Sequence, residues 1–189
     1  MKVISGNLKG REILGYKIDG TRPTMDRVKE SIFGMLEGNV SNSIVLDLFA
    51  GSGNYGIEAI SLNAKLVYFN DINKECIRVI KKNIEKFKID NKCILYNLDY
   101  LKCLKLLKEK SLSFDLIFLD PPYKLHVLKN ILNFIDQNSL LNINGFVVVE
   151  LQDEDLEEEY LSLRKIKERK YGDKKVYIYK NIGGICEIK

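Results

Sequence analysis

The chain of 189 residues is 46% hydrophobic and 30% charged, with a formal net charge of +4. That balance suits one globular domain with a full core and excludes low-complexity, fibrous and strongly nucleic-acid-like basic tails. No apolar stretch approaches the ~20 residues that span a bilayer, and Met1-Lys2-Val3-Ile4-Ser5-Gly6 opens without an apolar signal region, so a cytoplasmic protein with no membrane partner is expected. Cys76, Cys93, Cys103 and Cys186 are far apart with no C-x-x-C spacing, and His126 is the sole histidine. Reduced thiols and no metal site are expected.

In chain order, Val3-Ile4-Ser5 and Arg11-Glu12-Ile13-Leu14 flank Gly6 to Gly10 and predict a small hairpin. Thr24 then caps a helix to about Glu37, with Asp26 in its first turn and Val28, Ile32, Phe33 and Leu36 at helical spacing. Residues 1–30 carry Lys2, Lys9, Arg11, Lys17, Arg22, Arg27 and Lys29, an excess over their acids that suits phosphate contacts. Ile44 to Leu48 reads as a first buried strand, followed by a glycine loop and a helix carrying Ile57, Ala59, Ile60 and Leu62. Leu66 to Asn70, Cys93 to Tyr96, Phe114 to Leu119 and Gly145 to Val149 read as further strands. Helices are predicted near 73–87, 101–107 and 125–135. Leu163–Lys170 and Lys174–Tyr179, split by Tyr171-Gly172-Asp173, read as a terminal hairpin. The run from Asp153 to Glu159 is expected to be an exposed acidic face. Alternating strands and helices predict a Rossmann-like α/β fold. It has seven strands, mostly parallel, with an antiparallel C-terminal hairpin and a small N-terminal hairpin and helix. One domain spanning 1–189 is expected, with an extension at 1–40 and a core at 41–180.

Two segments carry chemistry. Gly51-Ser52-Gly53-Asn54-Tyr55-Gly56 follows a strand and opens a helix, and Asp71 stands 20 residues beyond Gly51 at the end of the second strand. Glycines let the backbone approach a ligand, and a carboxylate at that point accepts ribose hydroxyls, which any adenosine cofactor needs. Asp47, just ahead of the loop, repels a pyrophosphate but suits a cationic ligand. Asp99, after the third strand, is placed to accept from an adenine amino group or to cap the next helix. The second segment is Asp120-Pro121-Pro122-Tyr123, where an apolar strand stops at an acid, two prolines and a ring. Two prolines end ladder pairing and hold the backbone extended. The Asp120 carboxylate and a proline carbonyl then accept two hydrogen bonds, Tyr123 offers a ring face, and a flat group bearing an –NH2 fits between them. These features favour S-adenosylmethionine over a nicotinamide dinucleotide.

The segments Ile4-Ser5-Gly6, Lys9-Gly10-Arg11, Thr21 to Glu30, Leu46 to Gly53, Gly56-Ile57-Glu58-Ala59, Asp120-Pro121-Pro122-Tyr123 and Lys170-Tyr171-Gly172 together resemble the bacterial small-subunit rRNA (guanine-N2)-methyltransferase family. Those enzymes are class I and S-adenosylmethionine-dependent. The resemblance covers nearly the whole chain, with departures at Tyr55, at Asn70 and in the extension from Asn181 to Lys189. It implies methylation of a guanine N2 in 16S rRNA, free or within an assembling small subunit, by a monomer. It implies Asp120, Pro121, Pro122 and Tyr123 as catalytic residues. It further implies Arg22, Thr24, Asp47, Phe49, Ala50, Gly51, Ser52, Gly53, Gly56, Asp71, Ile72, Asp99 and Tyr100 around the cofactor. Lys9, Arg11, Arg22, Arg27, Lys29, Lys124 and Lys170 are left for RNA. The tetrapeptide itself recognises an amino group and not a particular ring, so adenine-N6 methylation of DNA or RNA remains an alternative, as does a non-catalytic RNA-binding module on the same fold.

Overall fold

A computed structural model describes residues 1–15, 24–36, 38–122 and 125–184, with the backbone alone at 24 and 25. The expectations for Arg22, Tyr123, Lys124 and the Thr24 side chain lie outside the described residues. The chain divides into two compact units, Met1–Tyr100 and Leu101–Lys189.

In the first unit, β1 (Ile44–Asp47) runs parallel to β2 (Leu66–Asn70), which runs parallel to β3 (Cys93–Tyr96). Val45, Leu46, Val67 and Phe69 are fully buried, the unbroken apolar character of strands covered on both faces. Helix α1 (Thr24–Met35) buries Val28, Ile32 and Phe33, as its spacing predicts, with Leu36 just beyond its end. Thr24 is already helical, so the helix begins where the sequence predicted its cap. Helix α2 (Asn54–Ser61) follows β1, and α3 (Lys74–Phe87) follows β2. Asn73 caps α3 by accepting from the Glu75 amide at 2.9 Å.

The predicted N-terminal hairpin is a short antiparallel pairing around a turn at Gly6–Leu8: Lys2 bridges Glu12, and the amides of Val3, Gly10 and Ile13 donate to the carbonyls of Arg11, Val3 and Met1. Side chains fasten it to the helices. The Glu58 carboxylate of α2 accepts from the Ile4 and Ser5 amides and the Ser5 hydroxyl. Ser61 Oγ accepts from the Leu8 amide at 2.9 Å. The approach is close enough that a Cβ on Gly6 would lie 2.0 Å from the Ser61 carbonyl oxygen. Glu58 pairs with Lys29 of α1 at 2.9 Å, both side chains having no exposure. The Lys29 ammonium also donates to the Lys2 carbonyl and Asn54 Oδ1, both at 2.8 Å, so its three protons are all used. Lys29 is therefore not an RNA contact: a fully enclosed cation cannot meet a phosphate.

In the second unit, helix α4 (Tyr100–Glu109) leads to β4 (Phe114–Leu119), helix α5 (Leu128–Gln137) and β5 (Leu141–Leu151). β5 is parallel to β4 and antiparallel to β7 (Lys174–Asn181), and β7 is antiparallel to β6 (Leu163–Tyr171). Among the described residues the strands number seven, mostly parallel with an antiparallel C-terminal hairpin, as expected. Helix α5 starts later than predicted because His126 takes a left-handed φ of 46° just before it. The acidic run is an exposed loop whose four glutamates are engaged. Glu154 caps the Lys129 amide, Glu157 pairs with Lys129, Glu158 with Lys165 and Glu159 with Arg164. Among the described residues no helix is long and apolar enough to cross a membrane.

The enclosed Lys29–Glu58 pair generates a stability prediction. Lys29→Met leaves Glu58 charged and unneutralised, and should cost about 3–5 kcal/mol in urea unfolding. Lys29→Met combined with Glu58→Leu should recover much of that loss, whereas equal instability in the single and double variants would contradict the assignment.

Candidate active site

Three glycines shape the loop after β1, each for its own reason. Gly51 and Gly53 adopt left-handed φ values of 55° and 82°, which other residues take only under strain. A Cβ built on Gly51 meets no atom within 4 Å, so the loop presents open space at that point. Gly56 serves packing instead: a Cβ there would lie 2.1 Å from the Phe69 ring, so α2 can rest on β2 only without a side chain.

The loop's amides are met by the two carboxylates that the sequence placed at strand ends. Asp47 Oδ2, buried, accepts from the Gly56 amide at 3.0 Å. Asp71 Oδ2 accepts from the Gly51 amide at 2.8 Å, and its Oδ1 from the Asn73 amide at 2.8 Å. Asp71 therefore anchors the loop and the entry to α3 but is not the helix cap, a role Asn73 fills. Each Asp71 oxygen retains a second lone pair, enough to accept a ribose hydroxyl.

Side-chain amides hold the frame, with Asn70 and Asn83 buried and Asn97 exposed. The Asn70 amide donates to the carbonyls of Leu48 and Leu98, and its Oδ1 accepts from the Leu98 amide. It joins the segments leaving β1, β2 and β3. Asn83 donates to the Ser52 carbonyl at 3.1 Å and exchanges two bonds with Leu14, so α3 supports the loop from beneath. Asn97 donates to the carbonyls of Asp71 and Ile72. Sequence reasoning missed all three. Asn70 had a signal, a polar residue closing an apolar strand; Asn83 and Asn97 had none.

The remaining wall is apolar and acidic. Ile72 is 70% exposed beside Asp71, an unusual place for a large aliphatic side chain unless a flat ring covers it. Phe49 and Tyr100 bring their ring centroids to 5.8 Å, and Asp99 directly precedes α4. Ala50 and Ser52 are buried in the loop. On α1, Asp26 Oδ1 is enclosed without a hydrogen-bond partner among the described residues. It lies one turn before Lys29, which reaches the first residue of α2. A cationic adenosine ligand fits this set, with a diol acceptor at Asp71, an apolar lid at Ile72, an open glycine cradle and carboxylates that repel a pyrophosphate.

In the second unit, Asp120-Pro121-Pro122 leaves the end of β4. Burial pushes the Asp120 carboxyl up to about 6, against the lowering influence of the Lys174 charge. The Pro122 carbonyl accepts from the Leu125 amide at 3.0 Å, which leaves the Pro121 carbonyl as the second acceptor of the predicted grip. A small cleft beside the prolines is lined by His126, Leu128, Gln152 and Asp153. Among the predicted RNA contacts, Lys9, Arg27 and Lys170 are exposed. Arg11 is exposed too, but it donates to the Lys86 carbonyl at 2.7 Å and lies 4.6 Å over the Phe87 ring, fastening the N-terminal segment to the end of α3.

A glycine loop after the first of three parallel strands and a carboxylate after the second define the class as a Rossmann-like methyltransferase fold. The Escherichia coli protein yhhF superposes with a TM-score of 0.84 at 26% identity, over 96% of this chain and 97% of that one. The sequence signature described as conserved hypothetical protein 95 matches residues 1–180. The chain is 39% identical to YlbH of Bacillus subtilis over 184 residues, 97% of this chain and 100% of that protein. It is 38% identical to ribosomal RNA small subunit methyltransferase D of Buchnera aphidicola over 148 residues, 78% of this chain and 76% of that protein. The chain belongs to the small-subunit rRNA methyltransferase D family.

Asp71→Ala should weaken S-adenosylmethionine by about 1.5–3 kcal/mol, through a lost charge-assisted contact to the ribose and a loosened Gly51 amide. Calorimetric titration measures it, and an unchanged affinity would confine Asp71 to holding the loop.

Proposed function

We propose that the protein transfers a methyl group from S-adenosylmethionine to the exocyclic N2 amino group of a guanine in 16S rRNA, with residues 41–180 as the catalytic core and 1–40 as an extension facing RNA. One observation carries this reading: a carboxylate with raised proton affinity and two prolines at the end of a buried strand, in a chain of this family. The family relatives named for small-subunit rRNA support the substrate class.

The cofactor supplies a methyl group on a sulfonium, which leaves as a neutral thioether. The chain's own task is the amino group, whose lone pair is delocalised into the base and nucleophilically weak. Asp120 and the Pro121 carbonyl accept its two N–H bonds, favouring a pyramidal nitrogen with its lone pair aimed at the incoming methyl. Tyr123 stacks on the base. Placement supplies most of the remaining acceleration. No base is needed beforehand, because the nitrogen becomes acidic only once methylated; Asp120 is then the adjacent proton acceptor. The target base enters unstacked, from a loop or a distorted helix.

Asp120→Ala should keep cofactor affinity while methyl transfer falls by roughly two to three orders of magnitude, the scale of losing one preorganised polar group. Wild-type turnover in the variant would overturn the assignment, and absence of any heat with S-adenosylmethionine in the wild type would favour a non-catalytic module. Because Asp120 works as the ionised acceptor and titrates near about 6, kcat/KM should decline as pH falls through that value and level off above it. Lys9 and Arg27 are the exposed arm cations to test against RNA. Replacing both by Ala should flatten the salt dependence of RNA binding by about 1.4 log units per log unit of salt; parallel slopes would make the arm a solvated face.

A further inference from the structure

Strand register gives Asp120 an electrostatic partner that its own motif does not contain. Leu119 of β4 pairs with Val149 of β5, so the next residues, Asp120 and Glu150, emerge side by side. β7 runs the other way, pairing Val176 with Glu150 and Lys175 with Leu151. Its first residue, Lys174, therefore arrives at the same end. The turn at Gly172, with a φ of 61°, closes the hairpin that returns the chain there, pairing Tyr171 with Lys174.

Lys174 Nζ lies 3.5 Å from Glu150 Oε2, with the glutamate side chain 5% exposed and the lysine 34%. Burial pushes both Asp120 and Glu150 up, and in both cases the Lys174 charge opposes it. A buried and a half-buried carboxylate at one strand edge favour taking up protons unless a cation stands beside them. Other charged or titratable groups on the neighbouring segments are His126, Asp153 and Glu154, of which Glu154 already caps the Lys129 amide, and on the hairpin itself Glu168, Arg169, Lys170, Tyr171, Asp173, Lys175 and Tyr177.

We propose that Lys174 is a positioning residue for methyl transfer: oriented by Glu150, its ammonium holds the half-buried Asp120 in the ionised form that accepts the N–H bonds of the target amino group. This rests on the reading of Asp120 given above. In the reaction the nitrogen lone pair forms the N–C bond, and the C–S pair returns to sulfur. One N–H proton then passes to Asp120 and on to water. Lys174 and Glu150 exchange no proton; they set how readily Asp120 gives up the one it has taken.

The test is a pH series, from 5 to 9, of single-turnover methylation of small-subunit rRNA at saturating S-adenosylmethionine, for the wild type, Lys174→Met, Lys174→Arg, Glu150→Gln and Asp120→Ala. Lys174→Met should move the acid limb up by about one pH unit, a loss of roughly fivefold at the wild-type midpoint and about tenfold well below it, which recovers in alkaline buffer. Lys174→Arg should restore the wild-type profile. Glu150→Gln, which removes a negative charge beside Asp120 and frees the ammonium from the Glu150 carboxylate, should move the limb down, a direction that general damage to the fold does not produce. Cofactor affinity should be the same in all five. A loss in Lys174→Met that is equal at every pH, or an unmoved limb in both Lys174→Met and Glu150→Gln, overturns the role of Lys174. Wild-type turnover in Asp120→Ala overturns instead the reading of Asp120 on which that role depends.

Discussion

The cofactor half of this protein depends on satisfying the amides of one glycine loop. A turn that reverses the chain from β1 into α2 through two left-handed residues presents N–H groups that no ladder or helix can take. Asp47 and Asp71 take them, one from each side of the loop. Asp47 does so from within the core and Asp71 from the strand end, where its oxygens are only partly covered. At Asp71, holding the loop and offering an acceptor to a ligand are thus a single arrangement. Around it lies a shell of buried polar groups whose bonds are nearly all to backbone, with Asn70 across three strand ends, Asn83 beneath Ser52 and Lys29 with Glu58 joining α1, α2 and the N-terminal segment. Such groups are costly to bury unless fully satisfied and specify one geometry when they are.

The other half solves a different problem. On the reading proposed above, Asp120 has to shed competing water to bind an amino group, yet stay ionised enough to accept from it. These demands pull its proton affinity in opposite directions. The antiparallel C-terminal hairpin brings Lys174 to the strand edge, where its charge opposes the effect of burial. In this account the terminal hairpin both completes a sheet edge and places a charge.

The parallel strands were legible because they are continuous apolar runs: Leu66–Asn70 and Phe114–Leu119 fall where their composition puts them. The terminal hairpin was legible from its Gly172 turn. Asp47, Asp71 and the three glycines were legible from spacing along the loop, and Asp120 from the two prolines behind it. What the sequence hid were partnerships between distant segments. Lys29 reads as one more charge in a basic arm, and only the fold shows that its three protons are spent inside the protein. Arg11 likewise reads as a phosphate ligand, but its guanidinium is held by the end of α3. Glu58 and Asn83 carry no local pattern, since their partners lie 53 and 69 residues away. Lys174 was visible only as a strand residue, because its proximity to Asp120 arises from the register of β4, β5 and β7.

The central claim is that this chain methylates the N2 amino group of guanine in small-subunit rRNA. The most direct measurement is mass spectrometry of nucleosides from fully digested small-subunit rRNA of cells lacking the protein. The account predicts loss of one N2-methylguanosine per rRNA, restored by the wild-type protein and not by Asp120→Ala. Loss of N6-methyladenosine instead, or an unchanged set of modified nucleosides, would contradict it.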